Sequence, residues 1–245
     1  MHMTCIWTNN GLYTAAPYKT EAELEAAIIL VQRELFGPNR IYLDVKKKIG
    51  GKAAPKNIPD GYLIDLNGSK PRLFVVENEL AAHDPLRHVA VQILQFSLSF
   101  EAEPIAIKKI LLDALNLDPP AKVRCEDYAK NSNFRNLDHL LEFLVFESPF
   151  AALVIIDEIP DNLENILARK FQFGVEVLQL GQYRNKEGDY FYHFEPFLAD
   201  FRDQEEARQT SQSPISQAGT TDIDTVVVPA REEGFRETFI AENRW

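Results

Sequence analysis

The chain has 245 residues, 45% of them hydrophobic and 26% charged, a composition that points to one sizeable globular core or two small ones. No apolar run reaches the roughly 18 residues a membrane span requires, and the N-terminus lacks the basic-then-apolar layout of a secretory signal, so a cytoplasmic address without membrane contact is expected. The formal net charge of −11 argues against non-specific coating of nucleic acid, which needs local positive charge, and Cys5 and Cys125 suggest neither a disulfide framework nor a zinc site.

Thr20 is a natural N-cap for a helix over 21–36, with Leu24, Ile28, Val31 and Leu35 at helical spacing and Gly37-Pro38 as its stop. Residues 40–49 read as a strand and 50–59 as a polar connection. Up to residue 59 the chain carries eight Lys/Arg against five acids, which gives this end a basic character the whole lacks. Lys46, Lys48 and Lys52 are its candidates for contact with phosphate, although a charge run is ordinarily a solvated stretch.

Residues 60–66 and 72–80 read as two strands joined through Asn67-Gly68, a strong hairpin signal. Pro85 opens a helix to about residue 100, and helices are expected over 104–116, 121–131 and 136–146. The apolar run 151–159 suits a strand buried on both faces, followed by a helix capped by Asp161. Strands near 175–184 and 189–195, with a turn at 185–188, complete the unit. The predicted fold is α/β: a mixed central sheet with helices on its faces. Residues 202–221 are polar and poor in large apolar side chains, which marks 201–221 as a linker. Residues 222–245 then read as a tail or the opening of a second domain.

In a strand, residues two apart share a face, so Leu73, Val75, Glu77 and Glu79 point one way and Phe74, Val76 and Asn78 the other. Two carboxylates thus stand side by side at the end of an apolar segment, where ionised groups are unfavourable unless something positive neutralises them. Antiparallel pairing through the hairpin brings Asp60 to the same end of the sheet. Such a set of hard oxygen ligands suits magnesium or manganese. Paired acids at a strand end are more often a solvated edge, and Pro-Asp before Gly is most often a turn. His83 and His88 invite a metal or acid role, but histidines near a helix start more often cap or pack. The alternating rings of Tyr190-Phe-Tyr-His-Phe194 offer a stacking surface for bases, yet suit a core strand better.

Pro59-Asp60, followed by Glu77-Asn78-Glu79 with Glu77 seventeen residues after the Asp, resembles the PD-(D/E)xK nuclease superfamily. Gln92-Ile-Leu-Gln-Phe96 is similar to the superfamily's QxxxY element, with Phe for Tyr, and Glu21 or Glu25 supplies the expected acid on the N-terminal helix. The resemblance covers about residues 20–100. It implies a restriction-endonuclease-like three-layer sandwich over 3–200 with a helical insertion at about 104–147. It also implies a Mg2+-dependent (or Mn2+-dependent) endonuclease acting on DNA, or RNA, in genome defence or repair. Asp60 and Glu77 become direct metal ligands with the Asn78 carbonyl as a further one, Glu79 a proton acceptor or holder of a water, and Gln92 an orienting group. Cutting two strands suits a homodimer. The chain departs from the pattern at position 79, where the usual Lys is Glu, and Lys46 or Lys48 is the candidate replacement. That departure sustains the alternative of an inactive nuclease-fold module that binds nucleic acid or a protein partner.

Overall fold

The computed structural model describes residues 5–46, 58–67, 70–83, 85–160, 163, 166–167 and 171–194. Lys48, Lys52, the linker at 201–221, the segment 222–245 and most of the helix expected after Asp161 lie outside the described residues. Within them the chain is α/β, with a mixed, open, eight-stranded sheet and five α-helices. No described helix is long and apolar enough to cross a membrane.

The strands are β1 (Cys5–Thr8), β2 (Gly11–Ala15), β3 (Arg40–Leu43), β4 (Gly61–Asp65), β5 (Arg72–Glu79), β6 (Ala151–Ile156), β7 (Gly174–Arg184) and β8 (Tyr190–Phe194). Their order across the sheet is β1-β2-β7-β6-β5-β4-β3, with β8 on the second half of β7. The parallel pairs are β5–β6 and β6–β7, and the others are antiparallel. The long segment between β5 and β6 carries α2 (Pro85–Ala102), α3 (Pro104–Leu117), α4 (Pro119–Asn131) and α5 (Leu137–Glu142). Parallel neighbours require such a crossover.

Helix α1 (Glu21–Phe36) forms where the sequence places it: Thr20 caps it by accepting from the Glu23 N–H at 3.3 Å, and the Glu23 carboxylate reaches back to the Lys19 N–H at 2.8 Å. Its apolar stripe, Leu24, Ile28, Val31 and Leu35, packs on Leu63, Phe74, Val76, Leu153 and Ile155 of one sheet face. The other face is covered by the crossover helices. Phe96, Ile107, Leu111, Leu140 and Leu144 meet Ile64, Leu73 and Val75 there, while Val89 and Ile93 meet Ala152, Val154 and Ile156. With both faces covered, β6 alternates between two cores and reads as an unbroken apolar run.

Some expectations need correction. Strand β3 ends at Leu43 instead of reaching residue 49, because its partner β4 begins at Gly61, opposite Val76 of β5, and offers no ladder beyond the Leu43–Tyr62 pair. Lys46 therefore lies past the strand. The helix expected over 136–146 is α up to Glu142 and then widens into a π-turn over Phe143–Glu147, with Leu144 and Val145 buried. The β1–β2 hairpin was not anticipated.

The strands next to the site are locked at their far end by charge. Arg40 and Asp65 are cross-strand partners, as are Asp65 and Arg72. Arg40 Nε lies 3.3 Å from one Asp65 oxygen and an Arg72 nitrogen 2.9 Å from the other, with Arg40 and Asp65 buried. A slipped register would strand a buried charge, which costs several kcal/mol or more by rough reckoning.

Candidate metal centre

Of the expected site residues, Asp60, Glu77, Glu79 and Gln92 lie around the C-terminal end of β5, and Glu21, Glu25 and Lys46 bear on them. Beyond Val76 the β4 side of β5 has no ladder, and Asp60 takes that place: its N–H donates to the Val76 carbonyl at 3.1 Å, and its carboxylate accepts from the Asn78 N–H at 2.8 Å. Gly61, the next residue, fits because a Cβ there would stand 2.8 Å from the Leu43 carbonyl oxygen and 2.9 Å from the Tyr42 ring. The glycine thus permits the close approach of β3 that sets Asp60 just ahead of β4.

Glu77 and Glu79 leave β5 on the face covered by α2 and are only 5% and 3% exposed. Gln92 of α2 hydrogen-bonds the Glu77 carboxyl, while Glu77 Oε2 and Gln92 Oε1 are buried without a hydrogen-bond partner. Burial, and then the charges of Asp60, Glu79 and Glu21, push the Glu77 carboxyl up to about 9. Burial first raises Asp60 to about 6, with the Asn78 N–H and Lys46 opposing it and Glu25 and Glu21 adding to it. Glu79 is raised as well, by burial against the Leu80 N–H and then by Glu21.

Glu21 and Glu25 stand one turn apart on α1 and both bear on Asp60. Lys46 pairs with Glu25. Burial works against its charge, but Glu25 and then Asp60 and Asp44 hold its pKa above the ordinary lysine value. A cation thus sits beside the acids even though position 79 lacks one. Asn78 turns its side chain to the α1 face, beside the Tyr42 hydroxyl. Its carbonyl leaves β5 on the same edge as the N–H that holds Asp60.

His83, read from sequence as a capping or packing residue, lies in the site. It occupies a 3-10 turn (Ala81–His83) just after β5, and its Nδ1 is 3.2 Å from both Glu21 Oε1 and Glu79 Oε1. First Glu21 and then Glu79 raise its pKa. His88 Nδ1 is 3.9 Å from Glu79 Oε2. The aromatic run on β8 belongs to the core: Phe191, Tyr192 and Phe194 are buried, and the exposed Tyr190 ring carries the Arg184 guanidinium 5.3 Å from its centre.

Asp60, Glu77, Glu79, Glu21 and Glu25 all offer hard oxygens and the buried Glu77 Oε2 has no hydrogen-bond partner, while among the described residues the trio whose ligand atoms lie within 4.8 Å of one another is Glu21, Glu79 and His83. The hard oxygens and the unpartnered Glu77 oxygen fit a magnesium-class ion. No family model, curated protein or solved structure matches the chain.

Proposed function

We propose that this chain is a Mg2+-dependent (or Mn2+-dependent) phosphodiester hydrolase acting on DNA, with a restriction-endonuclease-like domain over 3–200 and its site at the end of β5. The observation that carries the reading is the packing of Asp60 against the strand that bears the buried Glu77, one of whose oxygens has no partner. Isolated acidic residues favour water, and a merely structural cluster would expose them. Asp60, Glu77 and the Asn78 carbonyl are the groups that would hold the ion. When bound, it would polarise the phosphate and lower the pKa of a water.

The protein's own groups supply the rest. Glu79, held by the Leu80 N–H at 3.0 Å and by His83, is placed to accept the proton of an attacking water. Gln92 keeps Glu77 in position from α2. Lys46, beside Glu25, contributes positive charge near Asp60 in place of the missing lysine.

The test is incubation of plasmid and single-stranded DNA with Mg2+ or Mn2+, comparing the protein with Glu77→Ala. Cleavage that requires the ion and disappears in the variant supports the reading; cleavage unchanged by the substitution overturns it. A second reading, a non-cleaving module that binds nucleic acid or a partner, draws on Glu79 at the lysine position. Binding of DNA that is insensitive to metal, without cleavage, would favour it.

A further inference from the structure

The side chains that surround Glu79 differ in chemistry from the Asp60 side of the centre. Glu21 Oε1, Glu79 Oε1 and His83 Nδ1 come from three elements, the first turn of α1, the end of β5 and the 3-10 turn after it. Their ligand atoms all lie within 4.8 Å of one another. His83 Nδ1 stands 3.2 Å from each of the two carboxylate oxygens. Ligands bound at about 2.0–2.2 Å around one ion stand roughly 3–3.5 Å apart, so the three atoms need little movement to share one. The neighbouring Glu77, on the same face of β5, is only 5% exposed and its Oε2 has no hydrogen-bond partner, while Glu79 and Glu21 both bear on its carboxyl. A buried carboxylate oxygen without a partner beside this group is one that a nearby cation would satisfy.

We propose a second cation position, formed by Glu21, Glu79 and His83, that selects a zinc-class transition ion over magnesium. The selectivity follows from the imidazole: nitrogen ligands suit zinc, cobalt and nickel, whereas magnesium keeps to oxygen and water. His88, with its Nδ1 3.9 Å from the second Glu79 oxygen, offers a further nitrogen. An ion here occupies the Glu79 oxygens that would otherwise accept a proton, so it opposes hydrolysis. The inference rests on the proposed hydrolase reading only for that consequence; binding itself does not depend on it.

The experiment titrates the full chain with Co2+ in excess Mg2+, following the visible absorption of the bound ion, with Zn2+ as competitor. The expected result is one saturable equivalent of Co2+, displaced by Zn2+, and weakened roughly tenfold or more by His83→Ala. His83 is half exposed, so this variant keeps the fold. Asp60→Asn should leave the Co2+ signal in place while removing Mg2+-dependent cleavage. Co2+ affinity in His83→Ala within twofold of the parent overturns the second position. Cleavage that survives in Asp60→Asn, with the Co2+ signal normal, instead overturns the hydrolase reading.

Discussion

Replacing Glu77 by Gln separates the stability of the site from its use. The carboxyl has an ordinary value of 4.5 and is held at about 9 by burial and by the surrounding acids. A carboxyl raised on folding contributes its full stability below its unfolded pKa and loses it as pH climbs toward the folded value. Across this window the folded chain retains a proton that the unfolded chain has released. Each pH unit costs about 1.4 kcal/mol, so between pH 4.5 and pH 8 the protein without bound cation forfeits on the order of 3–5 kcal/mol through this one group. Glutamine has the shape of the protonated acid, keeps an oxygen for Gln92, and has nothing to ionise. Glu77→Gln should therefore match the parent in melting temperature near pH 4.5 and exceed it at pH 8, at roughly 2–4 °C per kcal/mol for a domain of this size. Millimolar Mg2+ should raise the parent at pH 8 and leave the variant unmoved. Thermal melts across pH, with and without Mg2+, read both effects. A variant that melts below the parent at pH 8, or by a margin that does not change with pH, would refute the reasoning.

Asp65→Ala should destabilise the fold by roughly 3–5 kcal/mol in urea melts, because it leaves Arg40 buried beside no carboxylate. Gly61→Ala pushes a methyl group against the Leu43 carbonyl; a loss of about 1–3 kcal/mol and weaker Mg2+ binding by calorimetry are expected, since Asp60 moves with it. Thr20→Ala removes the cap at the end of α1 that carries Glu21 and should cost about 1 kcal/mol, with Thr20→Ser restoring most of it in the same melts.

Much of the centre could be read from the sequence because it is built on regular elements. Strand alternation puts Glu77 and Glu79 on one face, the hairpin returns Asp60 to them, and helical spacing sets Gln92 opposite. Sequence leaves His83 weighted toward capping or packing because a three-residue 3-10 turn has no periodicity, and only the tertiary packing of α1 brings Glu21 to it. The Arg40–Asp65–Arg72 network was hidden for a related reason: each residue looks like an ordinary strand-end charge until the register is known. The β1–β2 hairpin escaped because its four- and five-residue strands are largely exposed, with Trp7 and Leu12 open to solvent, so no apolar alternation marks them. The end of β3 is not legible because sequence does not show where its partner starts.

The charge arrangement bears on the proposed reading of Glu79. Five carboxyls, Glu21, Glu25, Asp60, Glu77 and Glu79, gather around the end of β5. Lys46 pairs with Glu25, His83 Nδ1 stands within 3.2 Å of both Glu21 and Glu79, and His88 lies near the second Glu79 oxygen. Glu77 is buried, one of its oxygens has no hydrogen-bond partner, and the neighbouring acids make its charge unfavourable. A site that had drifted into a purely structural role would gain stability from any substitution that relieved this, by an apolar residue at 77 or a lysine at 79, since paired or absent charges are less costly than buried unpaired ones. The charge at Glu77 can be relieved by protonation or by binding a dication. Mg2+ protection that grows with pH would show the second route in use, because the ion must displace the proton that Glu77 holds at low pH.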